Sequence, residues 1–296
     1  MSRGQFQFRS RLRGATDVAV TTLAILATVL VVTPLLAIFG YLLYKGGASL
    51  NMAFFTNVPK PPGELGGGMA NAILGSAILL LLASAIGIPI GIGGGIFLAE
   101  FGRGSKLANA VRFTADVLNG VPSIVMGVGV YGLIVSQRHF YIPFSGHFSA
   151  FSGGVALGIM MIPTVCRTTE EMLLMVPHAV REAALGLGVP NWRSVLSITV
   201  RTASPGIITG CMLAFARVAG ETAPLIFTAL GNQFWSTSLN QPIAALPLQI
   251  WIYAQSPYDD WHRLAWAGAL VLIVLIVLSV SLVRYVTSRG VLKGTS

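Results

Sequence analysis

Six predominantly apolar runs dominate this chain: Val18–Tyr44, Asn71–Leu98, Ala115–Val135, Ser149–Cys166, Thr202–Ala229 and Leu264–Val283. About 20 mostly apolar residues carry a helix across a hydrocarbon core about 30 Å thick. Inside that core every backbone N–H and C=O must be satisfied within the segment, so runs of this length fold as helices. The expectation is an all-α integral membrane protein with six transmembrane helices. Composition agrees, since 10% of the 296 residues are charged against about 25% in a typical soluble protein. Arg3, Arg9, Arg11 and Arg13 precede the first run, which at 27 residues outlasts the ~7–15-residue core of a secretory signal. It is read as a retained anchor, with residues 1–17 a basic terminus, 71–283 the core and 284–296 a tail.

The basic residues orient the chain. With the N-terminus in the cytoplasm, the inner side receives fourteen: Arg3, Arg9, Arg11, Arg13, Arg103, Lys106, Arg112, Arg167, Arg181, Arg193, Arg201, Arg284, Arg289 and Lys293. The outer side receives four, Lys45, Lys60, Arg138 and Arg263. That asymmetry follows the positive-inside rule and places both termini in the cytoplasm. It also accounts for the net charge of +9 without invoking nucleic acid.

Several sequence motifs fail on context. GVGVYG, from Gly127 to Gly132, matches G-x-G-x-x-G but lies within an apolar run, without the strand, helix and acidic residue of a dinucleotide site. Gly87, Gly91 and Gly95 form a small-xxx-small series suited to close helix packing or sliding. No G-x-x-x-x-G-K-[ST] phosphate loop, G-x-S-x-G elbow or H-E-x-x-H pair is present. Cys166 and Cys211 sit in or beside apolar runs and are read as packed thiols, and His139, His147, His178 and His262 lack metal-ligand spacing. No metal or cofactor is expected in the chain, and transport is the default class.

The segment of about 167–201 breaks the pattern by its charge. Pro177 suits a helix start, Gly188 the residue past a helix end and Pro190 a stop, giving a short helix over Pro177–Leu187 with Val180, Ala183, Ala184 and Leu187 on one stripe. Periodicity alone also allows an amphipathic helix at the lipid interface. Glu182, Ala183, Ala184, Gly188 and Ile198 resemble the E-A-A-x-x-x-G-x9-I-x-L-P loop of binding-protein-dependent ABC importer permeases, with Val200 and Arg201 standing in place of Leu and Pro. LNGVPSIVMGVGVYGL from residue 118, ARVAGETAPLIFTALGNQFWS from 216 and QPIAALPLQIWIYAQSP from 241 resemble phosphate-specific (Pst) transporter permeases of the PstA type.

The resemblance implies a type I ABC importer permease fold. It further implies a cytoplasmic coupling helix carrying Glu182, Ala183, Ala184 and Gly188. The partners it implies are a homologous PstC-type permease, two PstB-type ATPase subunits that bind ATP and Mg, and an extracytoplasmic PstS-type phosphate-binding protein. The same architecture could carry sulfate or molybdate. A self-sufficient secondary transporter would need no ATPase dock.

FARVAGETAPLIF, residues 215–227, places Arg217 and Glu221 inside the fifth run. From Pro205 near the inner end, Arg217 lies ~18 Å along a helix, close to mid-bilayer. Facing lipid, the two charges would cost about 5–7 kcal/mol together, whereas an i, i+4 pair on a helix returns about 0.2–0.5 kcal/mol. Two readings stay open: an interhelical salt bridge to a partner, or a translocation path in which Arg217 offers its planar fork to phosphate. Glu221 would then hold Arg217 and accept a proton from HPO4²⁻, with Thr222 beside it. Pro224 should kink or open the helix next to Glu221. Pro122 disturbs the third run, where Asn119 and Ser123 lie one turn apart on a face that either lines the path or bonds a neighbouring helix.

The segment of about 230–263 carries Trp235, Trp251, Tyr253, Tyr258 and Trp261. These suit interfacial anchoring or, by the resemblance, docking of the binding protein.

Overall fold

The computed structural model describes residues 3–64, 66–102, 104–136 and 146–292, with side chains between residues 16 and 287 of those ranges. Arg103, Arg138 and His139, and the side chains of Arg3, Arg9, Arg11, Arg13, Arg289 and Lys293, lie outside them.

Among the described residues twelve helices follow in order: α1 (Arg3–Ser49), α2 (Met52–Thr56), α3 (Ala70–Ile96), α4 (Lys106–Gly120), α5 (Ser123–Val130), α6 (Ala150–Leu174), α7 (His178–Gly186), α8 (Asn191–Ser194), α9 (Val200–Ala219), α10 (Ala223–Thr228), α11 (Leu246–Ala254) and α12 (Asp259–Leu292). Wider π-helical turns extend α3 over Phe97–Phe101, extend α5 over Tyr131–Val135, and join α8 to α9 over Val195–Thr199. Among the described residues, five segments are single helices long and apolar enough to span a membrane: Thr16–Ser49, Ala70–Phe101, Ala150–Leu174, Asn191–Ala219 and Asp259–Thr287. The sixth is a broken pair, Lys106–Gly120 and Ser123–Val135, bent by 107°.

The expected third span therefore differs from a single helix over Ala115–Val135. It starts at Lys106 and turns sharply at Val121–Pro122, because Val121 takes the extended conformation that a following proline favours (φ −71°, ψ 130°). The expected fifth span also shifts. Its helix begins at Asn191 rather than Thr202 and stops at Ala219. With arginine where the family motif has proline, the chain stays helical through Val200–Arg201.

Helix α6 is the centre of the bundle. Against lipid, burying apolar surface gains little, so close backbone packing has to hold the helices. The glycines of α3 supply it along a parallel seam. Added β-carbons at Gly87, Gly91 and Gly95 would fall 2.7, 2.6 and 2.5 Å from the β-carbons of Met161, Val165 and Thr169. The small-residue series is thus a packing surface.

On another side of α6, α9 runs antiparallel, with Gly206 against Met172 and Gly210 against Thr168. Cys166 and Cys211 are both buried and unpaired. Helix α1 stands outside this core, its apolar side chains largely exposed, and meets α12 near one end through Gly46 and the edge-on Tyr41–Trp266 contact at 5.1 Å.

At the end carrying α11, the start of α6 is stitched to the end of α10. Ser149 and Ser152 form a reciprocal cap, and both Ser149 N and Ser152 Oγ donate to the Thr228 carbonyl at 3.0 and 2.9 Å. Asn71 Nδ2 donates to the Asn232 carbonyl at 2.8 Å, and Leu246 N to Ser76 Oγ at 2.7 Å, tying α3 to the same loop. Two of the expected anchoring aromatics are packed here instead: Tyr253 is fully buried and stacks on Trp261 at 4.5 Å, while Trp235 remains exposed.

Candidate translocation site and docking helix

Two helical runs are interrupted, α4–α5 at Val121–Pro122 and α9–α10 at Gly220–Thr222. α9 ends in a tightened turn, with Gly220 N–H bonded to the Arg217 carbonyl at 3.4 Å and Glu221 N–H to that of Val218 at 3.1 Å. A new helix, α10, then starts with Pro224 in its first turn, where the missing N–H leaves no intrahelical bond unmade. The opening expected beside Glu221 is therefore a complete break. Likewise Pro122 caps α5, its carbonyl accepting from Val125 N at 2.9 Å. The distal halves α5 and α10 pack on one another, and an added β-carbon at Gly127 would lie 2.6 Å from Pro224 Cα.

Continuing the α6–α9 register from Gly206 and Gly210 places Arg217 level with Met161, the middle of α6. Its side chain is exposed, and Glu221 and Thr222 are half-buried. Among the described residues neither Arg217 nor Glu221 has an ion-pair or side-chain hydrogen-bond partner, so the expected hold of Glu221 on Arg217 is absent. The chain interruption at Gly220–Thr222 removes the helical i, i+4 relationship such a pair would use.

Asn119 and Ser123 do not share a helix face, because the 107° bend separates them. Asn119 lies in the last turn of α4 and accepts at Oδ1 from Thr164 Oγ1 of α6 at 3.4 Å, whereas Ser123 opens α5 and is half-buried.

Below that contact, α4 and α6 are joined by charges. Arg167 Nε donates to Asp116 Oδ1 at 3.0 Å, and its Nη2 reaches both carboxylate oxygens. Arg167 Nη1 also reaches Glu170 Oε2 at 3.4 Å. Glu170, 4% exposed, takes Arg112 Nε at 2.7 Å on its other oxygen, and Arg112 Nη2 caps the Leu98 carbonyl at 3.2 Å. In sequence these arginines counted toward orientation alone. The one available clue was Asp116 inside an apolar run, with Glu170 three residues after Arg167.

Helix α7 occupies most of the stretch expected as Pro177–Leu187, with Pro177 as its cap. Its end is a Schellman turn: Gly188 N–H bonds the Leu185 carbonyl at 2.9 Å and Val189 N–H that of Ala184 at 3.2 Å, with Gly188 at φ +76°. The expected apolar stripe divides. Val180 packs on the main core and Ala184 is buried, whereas Glu182, Ala183, Leu185 and Leu187 face outward, Leu187 being 85% exposed. Arg181 anchors the helix: its Nη2 donates to Glu100 at 2.7 Å and to the Leu173 carbonyl at 2.7 Å, and its Nη1 to the Val176 carbonyl at 2.6 Å. Glu100 lies on the π-turn that ends α3, so α7 is tied to both α3 and α6.

The bundle thus combines two broken helical runs with a short helix tied to α3 and α6 and facing outward. Residues 91–290 match the family described as "Binding-protein-dependent transport system inner membrane component". The chain belongs to this family. Among other binding-protein-dependent permeases, the phosphate transport system permease protein PstA of Yersinia pestis is 48% identical over 83% of this chain and 81% of its own. That of Xylella fastidiosa (strain 9a5c) is 48% identical over 85% and 88%. The phosphate transport system permease protein PstA 1 of Mycobacterium tuberculosis (strain CDC 1551 / Oshkosh) is 34% identical over 77% and 74%.

Among solved structures, the MetNI methionine ABC transporter in an inward-facing conformation superposes with a TM-score of 0.54 at 19% identity, over 75% of this chain and 95% of that one. An amino acid ABC transporter with histidines gives 0.52 at 19% identity, over 73% and 92%. The fold is that of a type I ABC importer permease.

Proposed function

We propose that this chain is the PstA-type permease subunit of an ATP-driven inorganic phosphate importer, forming half of its translocation pathway. The carrying observation is the 48% identity to phosphate transport permeases over more than four-fifths of the chain. In this reading the α7 end faces the cytoplasm, with both termini, and the α11 end faces the extracytoplasmic side, as the basic residues favour. Arg217 supplies the anion-binding fork at mid-membrane. Two features support that role: its lack of a protein partner among the described residues, and the broken helix beside it, which membranes tolerate against protein or a watery cavity. Glu221 and Thr222 line the same break, and Asn119 and Ser123 flank the other.

Ala183, Leu187 and Glu182 form the surface that a separate ATPase would grip, and the Arg181–Glu100 pair carries its movement into α3 and α6. A second homologous permease, two ATPase copies holding ATP and Mg, and a phosphate-binding protein complete the complex. Reconstituted with these partners in vesicles, the chain should accumulate labelled phosphate when ATP is supplied, and far less sulfate. Sulfate accumulation without phosphate uptake would assign it to another oxyanion. Uptake without any ATPase would make it a secondary transporter.

A further inference from the structure

The four-charge seam between α4 and α6 contains two unequal carboxylates. Glu170 is buried and held from both sides by Arg112 and Arg167. The Asp116 side chain is 57% exposed, and Arg167 is its one ion-pair partner among the described residues. Arg167 keeps a contact to buried Glu170 through Nη1 at 3.4 Å, while the carboxylate on its Nε–Nη2 edge is open to water.

That edge is the pair of parallel donors that recognises carboxylates and phosphates alike, so Asp116 stands where an oxyanion would sit. One turn away on α6, the Thr164 hydroxyl donates to Asn119 Oδ1, which turns the Asn119 amide hydrogens away from Thr164 as donors with no protein acceptor among the described residues. In the helix register Arg167 lies six residues, or ~9 Å, beyond the level of Arg217 toward the α7 end. Arg217 and Arg167 thus lie at successive levels along the bundle.

Resting on the phosphate reading above, we infer that Arg167 is a second oxyanion station on the α7 side of the pathway, with Asp116 as its exchangeable resting ligand and Asn119 as an auxiliary donor. A departing phosphate displaces Asp116 from Arg167, and the return of Asp116 expels it. No bond is made or broken covalently. The carboxylate supplies release, which a bare guanidinium facing an anion would slow.

The test uses the complete transporter in right-side-out vesicles, with ATP and unlabelled phosphate inside and labelled phosphate with its binding protein outside. Lumenal phosphate should inhibit uptake by refilling the station. Asp116→Asn, which removes the competing negative charge from the fork, should lower the half-inhibiting concentration about tenfold, and Arg167→Gln should raise it about tenfold, the scale of a charge-assisted hydrogen bond. Arg167→Lys, which keeps charge but loses the fork, should fall between and covers any failure of Arg167→Gln to assemble.

Inhibition through the ATPase's own product site would move with none of these substitutions, and that result overturns the station. So does wild-type uptake indifferent to lumenal phosphate. If the wild-type complex carries a different oxyanion, the phosphate reading fails instead, and the same three variants are then scored with that anion in the lumen.

Discussion

Gly127 of α5 lies flush against the backbone of Pro224 in α10, where a β-carbon would come within 2.6 Å of Cα and 3.0 Å of the carbonyl oxygen. The helices that follow the two breaks, α5 and α10, are thereby locked to each other. Neither contacting atom belongs to a side chain that could rotate aside.

Gly127→Ala should therefore force α5 from α10 at a cost of about 1–3 kcal/mol, the usual range for overpacking, and should reduce transport more than assembly. Gly129→Ala is the control, since nothing lies within 4 Å of its added carbon. Thermal unfolding in detergent, followed by uptake assays, reads both. Equal effects from the two substitutions contradict the lock.

The carboxylates of the α4–α6 seam should differ in stability as they do in exposure. Glu170→Leu removes the buried carboxylate shared by Arg112 and Arg167 and should cost about 3 kcal/mol, as when one partner of a buried pair is removed. Asp116→Asn removes an exposed charge, which water screens, and should cost much less. Apparent melting temperatures of the assembled complex decide this, and a larger loss for Asp116→Asn rejects the asymmetry.

Arg181 is the tie between α7 and the bundle, its side chain 12% exposed and that of Glu100 7% exposed. Arg181→Met keeps the stem but removes the donors to Glu100, Leu173 and Val176. ATP hydrolysis should continue while phosphate uptake per ATP falls several-fold. Parallel loss of both activities would show instead that α7 had detached from its partner.

Much of this fold is legible in the apolar runs because membrane spans announce themselves by length. Arg217 and Glu221 stood out for the same reason, as charges where a span allows few. Pro224 marked the break because a proline removes an identifiable hydrogen bond. What the chain conceals is how far a break bends: Pro122 and Pro163 both lie in apolar runs, yet one begins a new helix at 107° and the other stays within α6. The start of α4 was hidden because Lys106, Arg112 and Asp116 interrupt its apolar pattern, and their role depends on a neighbouring helix. Arg112–Glu170 and Arg181–Glu100 join residues 58 and 81 positions apart, beyond the reach of any local periodicity.

Arg217 carries the central claim, and phosphate uptake by fully assembled transporters bearing Arg217→Ala or Arg217→Lys measures it. With about 3 kcal/mol of charge-assisted hydrogen bonding removed, uptake through Arg217→Ala should drop about a hundredfold while all subunits still co-purify, and Arg217→Lys should retain part of the rate. Near-normal uptake through both variants is incompatible with an anion path at Arg217, and loss of the partner permease from both would reassign the residue to an interhelical salt bridge.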